Sequence, residues 1–234
     1  MDYKKEFLQR ISDMANMYSE QQVFFDFVQA TACHFSVRAV FDKDLIILNH
    51  ERLDNREEIF KRHGSKGKER FNQLLIWLYG AYEENQAQDF LGSAYMQLNE
   101  GRGSKGQFFT AYHISELTAA LAVKDAKEVV LKQGFISISE PSVGAGAMVI
   151  AAANELIRQG IDCRTQAWFD CQDIDMMAGL CGYIQMSMIG LAGRVIIADS
   201  LKHPRLGELK LDELYQQTYF TPNAGLFLQK HGMC

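Results

Sequence analysis

From Phe135 to Ser200 short apolar runs alternate with helix-length segments, and this alternation limits the fold more than any other feature of the chain. The spacing predicts a strand over 136–140, a helix over about 147–159, a strand over 165–171, a helix over about 174–190 and a strand over 194–198. Alternation on this scale predicts a parallel sheet made by right-handed crossovers, the doubly wound α/β class. Only three strands are convincing. After Asp199 thirty-five residues remain, and "TYFTPNAGLFL" holds at most one more short strand or a hairpin.

The first hundred residues read as helices. "FNQLLIWLYGAYE" puts Phe71, Leu74, Leu75, Leu78 and Tyr82 on one face, and "EQQVFFDFVQATACHF" puts Phe24, Phe27, Val28 and Cys33 or Phe35 near one stripe. Such aromatic stripes predict helix-packing core. Glycines 101, 103 and 106 then break the pattern. Helical spacing returns in "ISELTAALAV", with Ile114, Leu117 and Leu121 on one side. We therefore divide the chain into a helical N-terminal subdomain, 1–100, and an α/β domain, 101–234.

Composition narrows the classes of function. A 47% hydrophobic chain of this length excludes disorder as its main state. No apolar run approaches the roughly 20 residues of a membrane helix, and "MDYKKEFLQR" is too charged for a signal peptide, so a soluble cytoplasmic protein is expected. The five scattered cysteines form no C-x-x-C pair, so no disulfide framework and no metal site is expected. With a formal net charge of -5, nucleic acid would need a local basic face, and "KRHGSKGKER" (61–70) is the candidate, against the plainer reading of a solvated loop.

Ligands of such sheets sit at the carboxyl ends of the strands, where helix N-termini offer free N–H groups and glycines let the backbone come close. Gly144 and Gly146 occupy that position, but the third glycine of G-x-G-x-x-G is missing, which weakens a dinucleotide reading. Three acids close strands around this turn: Glu140, Asp173 in "WFDCQDID" and Asp199 in "RVIIADSL". A carboxylate at the second strand end can take both hydroxyls of a ribose, and one at the third can read an adenine amine.

Taken in order, "GQFFTAYHISEL", "EPSVGAGAM", "CQDID" and "ADSL" resemble the N6-adenine DNA methyltransferases of the type I restriction-modification family. The resemblance covers about 89–201 and implies a partial Rossmann-like S-adenosylmethionine-dependent methyltransferase sheet behind the helical subdomain. It implies that Phe108, Phe109 and Thr110 cover the methionine end of S-adenosylmethionine, that Glu140, Pro141, Gly144, Ala145 and Gly146 lie beneath that end, and that Asp173 and Asp199 hold its ribose and adenine. Ala111, Glu140 and Val143 stand where the family has Pro, Asp and Cys.

The family's catalytic (Asp/Asn)-Pro-Pro-(Tyr/Phe) has no counterpart, since Pro141, Pro204 and Pro222 are the only prolines; catalytic residues are therefore not assigned. Thr221, Pro222 and Asn223 offer a weak stand-in. In the family the first strand lies between the second and the fourth, so loss of the fourth exposes an edge: either the C-terminal segment covers it, or another subunit does, or the family strand order does not hold here. Two readings follow: an S-adenosylmethionine-binding member of the family acting on adenine in DNA with a specificity or other protein subunit or as a homodimer, or a non-catalytic regulatory or interaction module. An NAD-dependent oxidoreductase is a third, resting only on the glycine turn and Asp173.

Overall fold

The computed structural model describes residues 1–39, 41, 43–99, 110–204 and 215–233. Five helices come first: α1 (Tyr3–Met14), α2 (Glu20–Ser36), α3 (Lys43–Arg62), α4 (Gly67–Glu84) and α5 (Phe90–Asn99). After them run α6 (Tyr112–Ala122), α7 (Ala126–Gln133), β1 (Ile136–Glu140), α8 (Ala147–Arg158), β2 (Ala167–Asp173), α9 (Met176–Met188), β3 (Gly193–Ile197), β4 (Thr218–Phe220) and α10 (Ala224–Lys230). No helix among the described residues is long and apolar enough to cross a membrane.

Short polar side chains start the first helices. Asp2 accepts from the Lys5 N–H at 3.0 Å and Ser19 from the Gln22 N–H at 3.2 Å, satisfying donors that the first turn leaves free. The aromatic stripes are core, as expected: Phe24, Phe27, Val28, Cys33, Phe35, Phe71, Leu74, Leu78 and Tyr82 are buried, while Leu75 is half-buried. Phe7 anchors the bundle, with Phe24, Phe27 and Phe90 edge-on to it at ring distances of 6.3, 5.1 and 5.3 Å. This core is continuous with that of the sheet, running from Phe7 to Tyr219.

The basic run 61–70 is neither a free cationic face nor a wholly solvated loop. Lys61 pairs with the exposed Glu58 at 2.7 Å, whereas Arg62 and His63 turn back to Asp26, which has no exposed surface, at 3.5 and 2.7 Å. Gln22 Nε2 donates to the same carboxylate at 3.0 Å. Arg62 and His63 thus clasp the α3–α4 connection onto α2.

The expected strands and helices are present, with β2 set two residues later than the periodicity indicates. β1, β2 and β3 are parallel, and the sheet order is β1-β2-β3-β4. The sheet is mixed, because β4 runs antiparallel to β3, with Arg194 opposite Phe220 and Ile196 opposite Thr218. The helical subdomain holds β4 there. Arg52 of α3 donates to the Gln216 and Thr218 carbonyls at 3.0 and 2.8 Å, and its guanidinium lies 3.9 Å from the centre of the Tyr219 ring.

The C-terminal strand therefore covers β3 and leaves β1 at the edge. The Ile136 N–H donates to the Gln166 carbonyl at 2.9 Å, so by strand alternation Ser137 and Ser139 turn their main-chain groups away from β2. Among the described residues no strand pairs with them. Helix α6 packs on α8 through Ser115 and Ala119, and its stripe Ile114, Leu117 and Leu121 faces outward. Small residues win the contact because alanine-rich α8 lets the two backbones approach closely; Ala119, Ala151 and Ala152 form a buried cluster of their own.

Asp26→Ala should cost roughly 3 kcal/mol, because the His63 ring stays buried without its acceptor. Urea unfolding measures it, and a loss within experimental error would show that Asp26 does not hold the connection.

Candidate cofactor site

The turn Pro141–Gly146 leaves β1 with two glycines in the left-handed region, Gly144 at φ 54° and Gly146 at φ 100°. Gly146 caps α8 with no side-chain hydrogen bond, so among the described residues the first-turn N–H groups of that helix have no side-chain acceptor. A second constraint comes from α9. A Cβ on Gly182 would lie 2.9 Å from the Gly144 carbonyl oxygen, and one on Gly146 would lie 3.2 Å from the Gly182 Cα. Glycine is thus required on both sides of this contact.

Asp173 ends β2 beneath the turn and is only 6% exposed. Its Oδ2 accepts from the Gly144 N–H at 2.7 Å and its Oδ1 from the Asp175 N–H at 2.9 Å. Asp175 in turn caps α9 through the Ala178 N–H at 2.9 Å. The same carboxylate therefore fixes the turn and the entry to the next helix. An ionised carboxylate has about four acceptor positions, so these two bonds leave capacity for other donors.

Glu140 is half-buried at the end of β1, and its Oε1 accepts from the Ser142 N–H at 3.1 Å. Burial pushes its carboxyl above the ordinary range, and the charge of Asp173 adds to the rise against the pull of the Ser142 hydrogen bond. Asp199 differs. It stands two residues beyond β3 and accepts from the Leu201 and Lys202 N–H groups at 3.0 and 3.4 Å. These main-chain donors, with the Lys202 ammonium 3.5 Å away, hold it below the usual carboxylate range.

Glu140, Pro141, Gly144, Ala145, Gly146 and Asp173 are thus brought together, with Asp199 at the neighbouring strand end. Thr110 is exposed on the turn into α6. Phe108 and Phe109 lie outside the described residues. Two aliphatic side chains border the acids in the open: Ile174 is 72% exposed and Leu201 92%.

Sequence reasoning missed the polar hub behind the turn. Gln185 of α9 has no exposed surface. Its Oε1 accepts from the Leu91 N–H at 3.0 Å and from the Tyr82 hydroxyl; its Nε2 donates to Asp89 Oδ1 at 2.8 Å and to the Ala145 carbonyl. Asp89 also accepts from the Gly92 N–H at 2.9 Å, and burial pushes its carboxyl up. One amide thus ties α4, α5, α9 and the turn. The signal was a lone glutamine inside the apolar run "LCGYIQMSM".

The stand-in Thr221-Pro222-Asn223 does not reach this site. The Thr221 hydroxyl accepts from the Gly193 N–H at 3.0 Å and donates to the Gly193 carbonyl at 3.1 Å, and Asn223 Nδ2 donates to the Gly190 carbonyl at 2.8 Å. Gly193 begins β3, whereas the acids stand at its far end, about 13 Å away at the rise of a strand. The segment is a structural clasp at the opposite end of the sheet.

A β-α-β-α-β run with an acid-bound glycine turn at the carboxyl ends of its strands is the cofactor half of a Rossmann-like methyltransferase fold. The chain belongs to the N-6 DNA methylase family, whose model matches residues 86–221, more than half of its length. That span takes in Asp89, the turn and Gln185. No curated protein matches the chain.

Gln185→Leu should cost roughly 3 kcal/mol or more in denaturant unfolding, since it strands the Leu91 N–H, the Ala145 carbonyl and the Tyr82 hydroxyl together. A near-neutral result would mean that the hub is redundant. Glu140 gives a pH test. An acid raised in the folded state binds more protons there than in the unfolded chain, so its ionised form costs stability above the folded pKa, and that cost vanishes below the unfolded value of 4.5. Glu140→Gln should melt higher than the parent at about pH 7, with the gap closing towards about pH 4. A gap independent of pH would remove Glu140 as its source.

Proposed function

We propose that the chain binds S-adenosylmethionine across the carboxyl ends of β1, β2 and β3 as the cofactor component of an adenine-N6 DNA methylation system of the restriction-modification type. The observation that carries this reading is the bond from Gly144 to Asp173, which sets the turn over a carboxylate with acceptor capacity to spare. The residues suit the cofactor. Asp173 can take the ribose hydroxyls, Glu140 with Asp173 presents negative charge towards a cationic methionine end, and Asp199 can accept from the adenine amine. Ile174 and Leu201 offer apolar faces to the ring. By resemblance Phe108, Phe109 and Thr110 close over the methionine end, with Pro141, Ala145 and Gly146 beneath it.

When bound, S-adenosylmethionine would supply an activated methyl group. This chain's residues bind and orient it. Transfer also requires an adenine amine aimed at that methyl, with the base turned out of the duplex. The group that holds the base is absent from the sequence in the family's form, and the Thr221 clasp sits at the wrong end of the sheet. We propose that base holding falls to a group outside these residues, carried by a specificity or other subunit or a second copy seated at the open edge of β1, in a cytoplasmic complex with DNA. The same observation favours a second reading, a non-catalytic module that regulates a complete methylase.

Calorimetric titration with S-adenosylmethionine tests the first step. Saturable binding is expected, weakened at least about tenfold in Asp173→Asn, which keeps the size of the side chain but loses a charged acceptor. No binding at millimolar cofactor overturns the proposal. Methyl transfer from labelled cofactor to adenine-containing DNA should be absent with this chain alone; turnover by the chain alone would refute the need for a partner.

A further inference from the structure

A small cavity of about 60 Å³ lies between α2, α3 and α4, away from the candidate cofactor ledge at the carboxyl ends of β1, β2 and β3. Thr31 and His34 of α2, Arg56 of α3, and Lys68 and Asn72 of α4 give it polar walls, with Phe60 among the apolar ones. Lys68 belongs to the basic run 61–70 and, unlike Arg62 and His63, does not turn to Asp26. It stands in the first turn of α4, whose N-terminus has no side-chain cap, so the positive end of that helix adds to the local field.

Charge and hydrogen bonding are both unbalanced here. Arg56 Nε is buried and has no hydrogen-bond partner among the described residues, although a buried N–H of a charged group is costly to leave unmet. Glu57 sits 3.2 Å from Arg56 Nη2 and 3.9 Å from Lys68 Nζ, and it is 45% exposed. One carboxylate thus answers two cations and leaves Nε unmatched. Arg38 Nη2 lies 3.1 Å from His34 Nε2, which places the acceptor nitrogen of the neutral ring there. Burial, then the charges of Arg38 and Arg56, push His34 below its usual value. A water could meet one donor but would bring no charge. A tetrahedral oxyanion brings several acceptors and a compensating charge, and the cavity exceeds the room of one water.

We infer that this pocket binds a phosphate group, either as free inorganic phosphate or as a phosphate of a nucleic-acid backbone, through Arg56, Lys68 and Asn72 with His34 beside it. The charged groups facing His34 are Arg38 on its own helix, Arg56 with Glu57 on α3 and Lys68 on α4. An anion among them stabilises the imidazolium, so His34 must titrate at higher pH when the pocket is filled.

The test follows the His34 ring protons by NMR across a pH titration of the full chain, alone, with inorganic phosphate at tens of millimolar, and with a short DNA duplex. The midpoint should rise with at least one ligand, and the rise should vanish in Arg56→Gln and in Lys68→Met. Lys68 is well exposed, so the second variant separates lost binding from lost folding. A shift with the duplex, whose binding free phosphate displaces by competition and whose affinity falls at least about tenfold in Arg56→Gln, assigns the pocket to nucleic acid. A shift with phosphate alone assigns it to the free ion. No shift with either ligand overturns the inference. Cofactor titration of the same variants should be unchanged, so this result and that of the ledge are read separately.

Discussion

The glycine turn between β1 and α8 is held between two buried side chains, and the architecture around it depends on that grip. Asp173 takes the Gly144 N–H from below, and Gln185 donates to the Ala145 carbonyl from behind. Each side chain is also committed elsewhere, Asp173 to the start of α9 and Gln185 to α4, α5 and Asp89. The turn therefore cannot shift without breaking contacts in the helical bundle. A site made of backbone amides needs this rigidity, because main-chain donors help a ligand only if they are already in place. Buried polar groups that satisfy one another supply it, and each is costly to orphan.

The two ends of the sheet divide the work. At the carboxyl ends of β1, β2 and β3 stand the acids, the open helix N-terminus and the exposed Ile174 and Leu201. At the other end Thr221 and Asn223 satisfy Gly193 and Gly190, while Arg52 fastens β4 from the helical layer beside Ile196. The C-terminal strand thus serves packing on the β3 side. The acids lie next to β1, whose outer main-chain groups are unpaired among the described residues, and α6 exposes Ile114, Leu117 and Leu121. The acids and the glycine turn thus stand at the carboxyl ends of the strands, beside the edge strand β1.

Much of this was legible beforehand. The period of the apolar residues gave the helical lead-in and the three parallel strands, because a helix face and a buried strand each leave a repeating mark in the sequence. Gly144, Gly146, Glu140 and Asp173 were found from their place after strands. Three features were not legible. The stripe Ile114, Leu117 and Leu121 has a helical repeat yet faces outward, since periodicity finds a face without saying what it meets. The basic run 61–70 looked uniform, but only the buried acid of α2 separates Arg62 and His63 from Lys68. Asp89 and Gln185 lie far apart in the chain, and no local pattern joins them.

The sequence by itself determined the elements, their order and the chemistry available at the strand ends, because those follow from local spacing and from residues adjacent to a turn. Tertiary structure alone decided that β4 runs antiparallel beside β3, that β1 is an edge, and that Thr221-Pro222-Asn223 sits at the wrong end for chemistry. The reason is physical. Strand pairing is a choice among long-range partners, set here by Arg52 reaching from α3 to the carbonyls around β4, and such contacts leave no periodic trace in either segment.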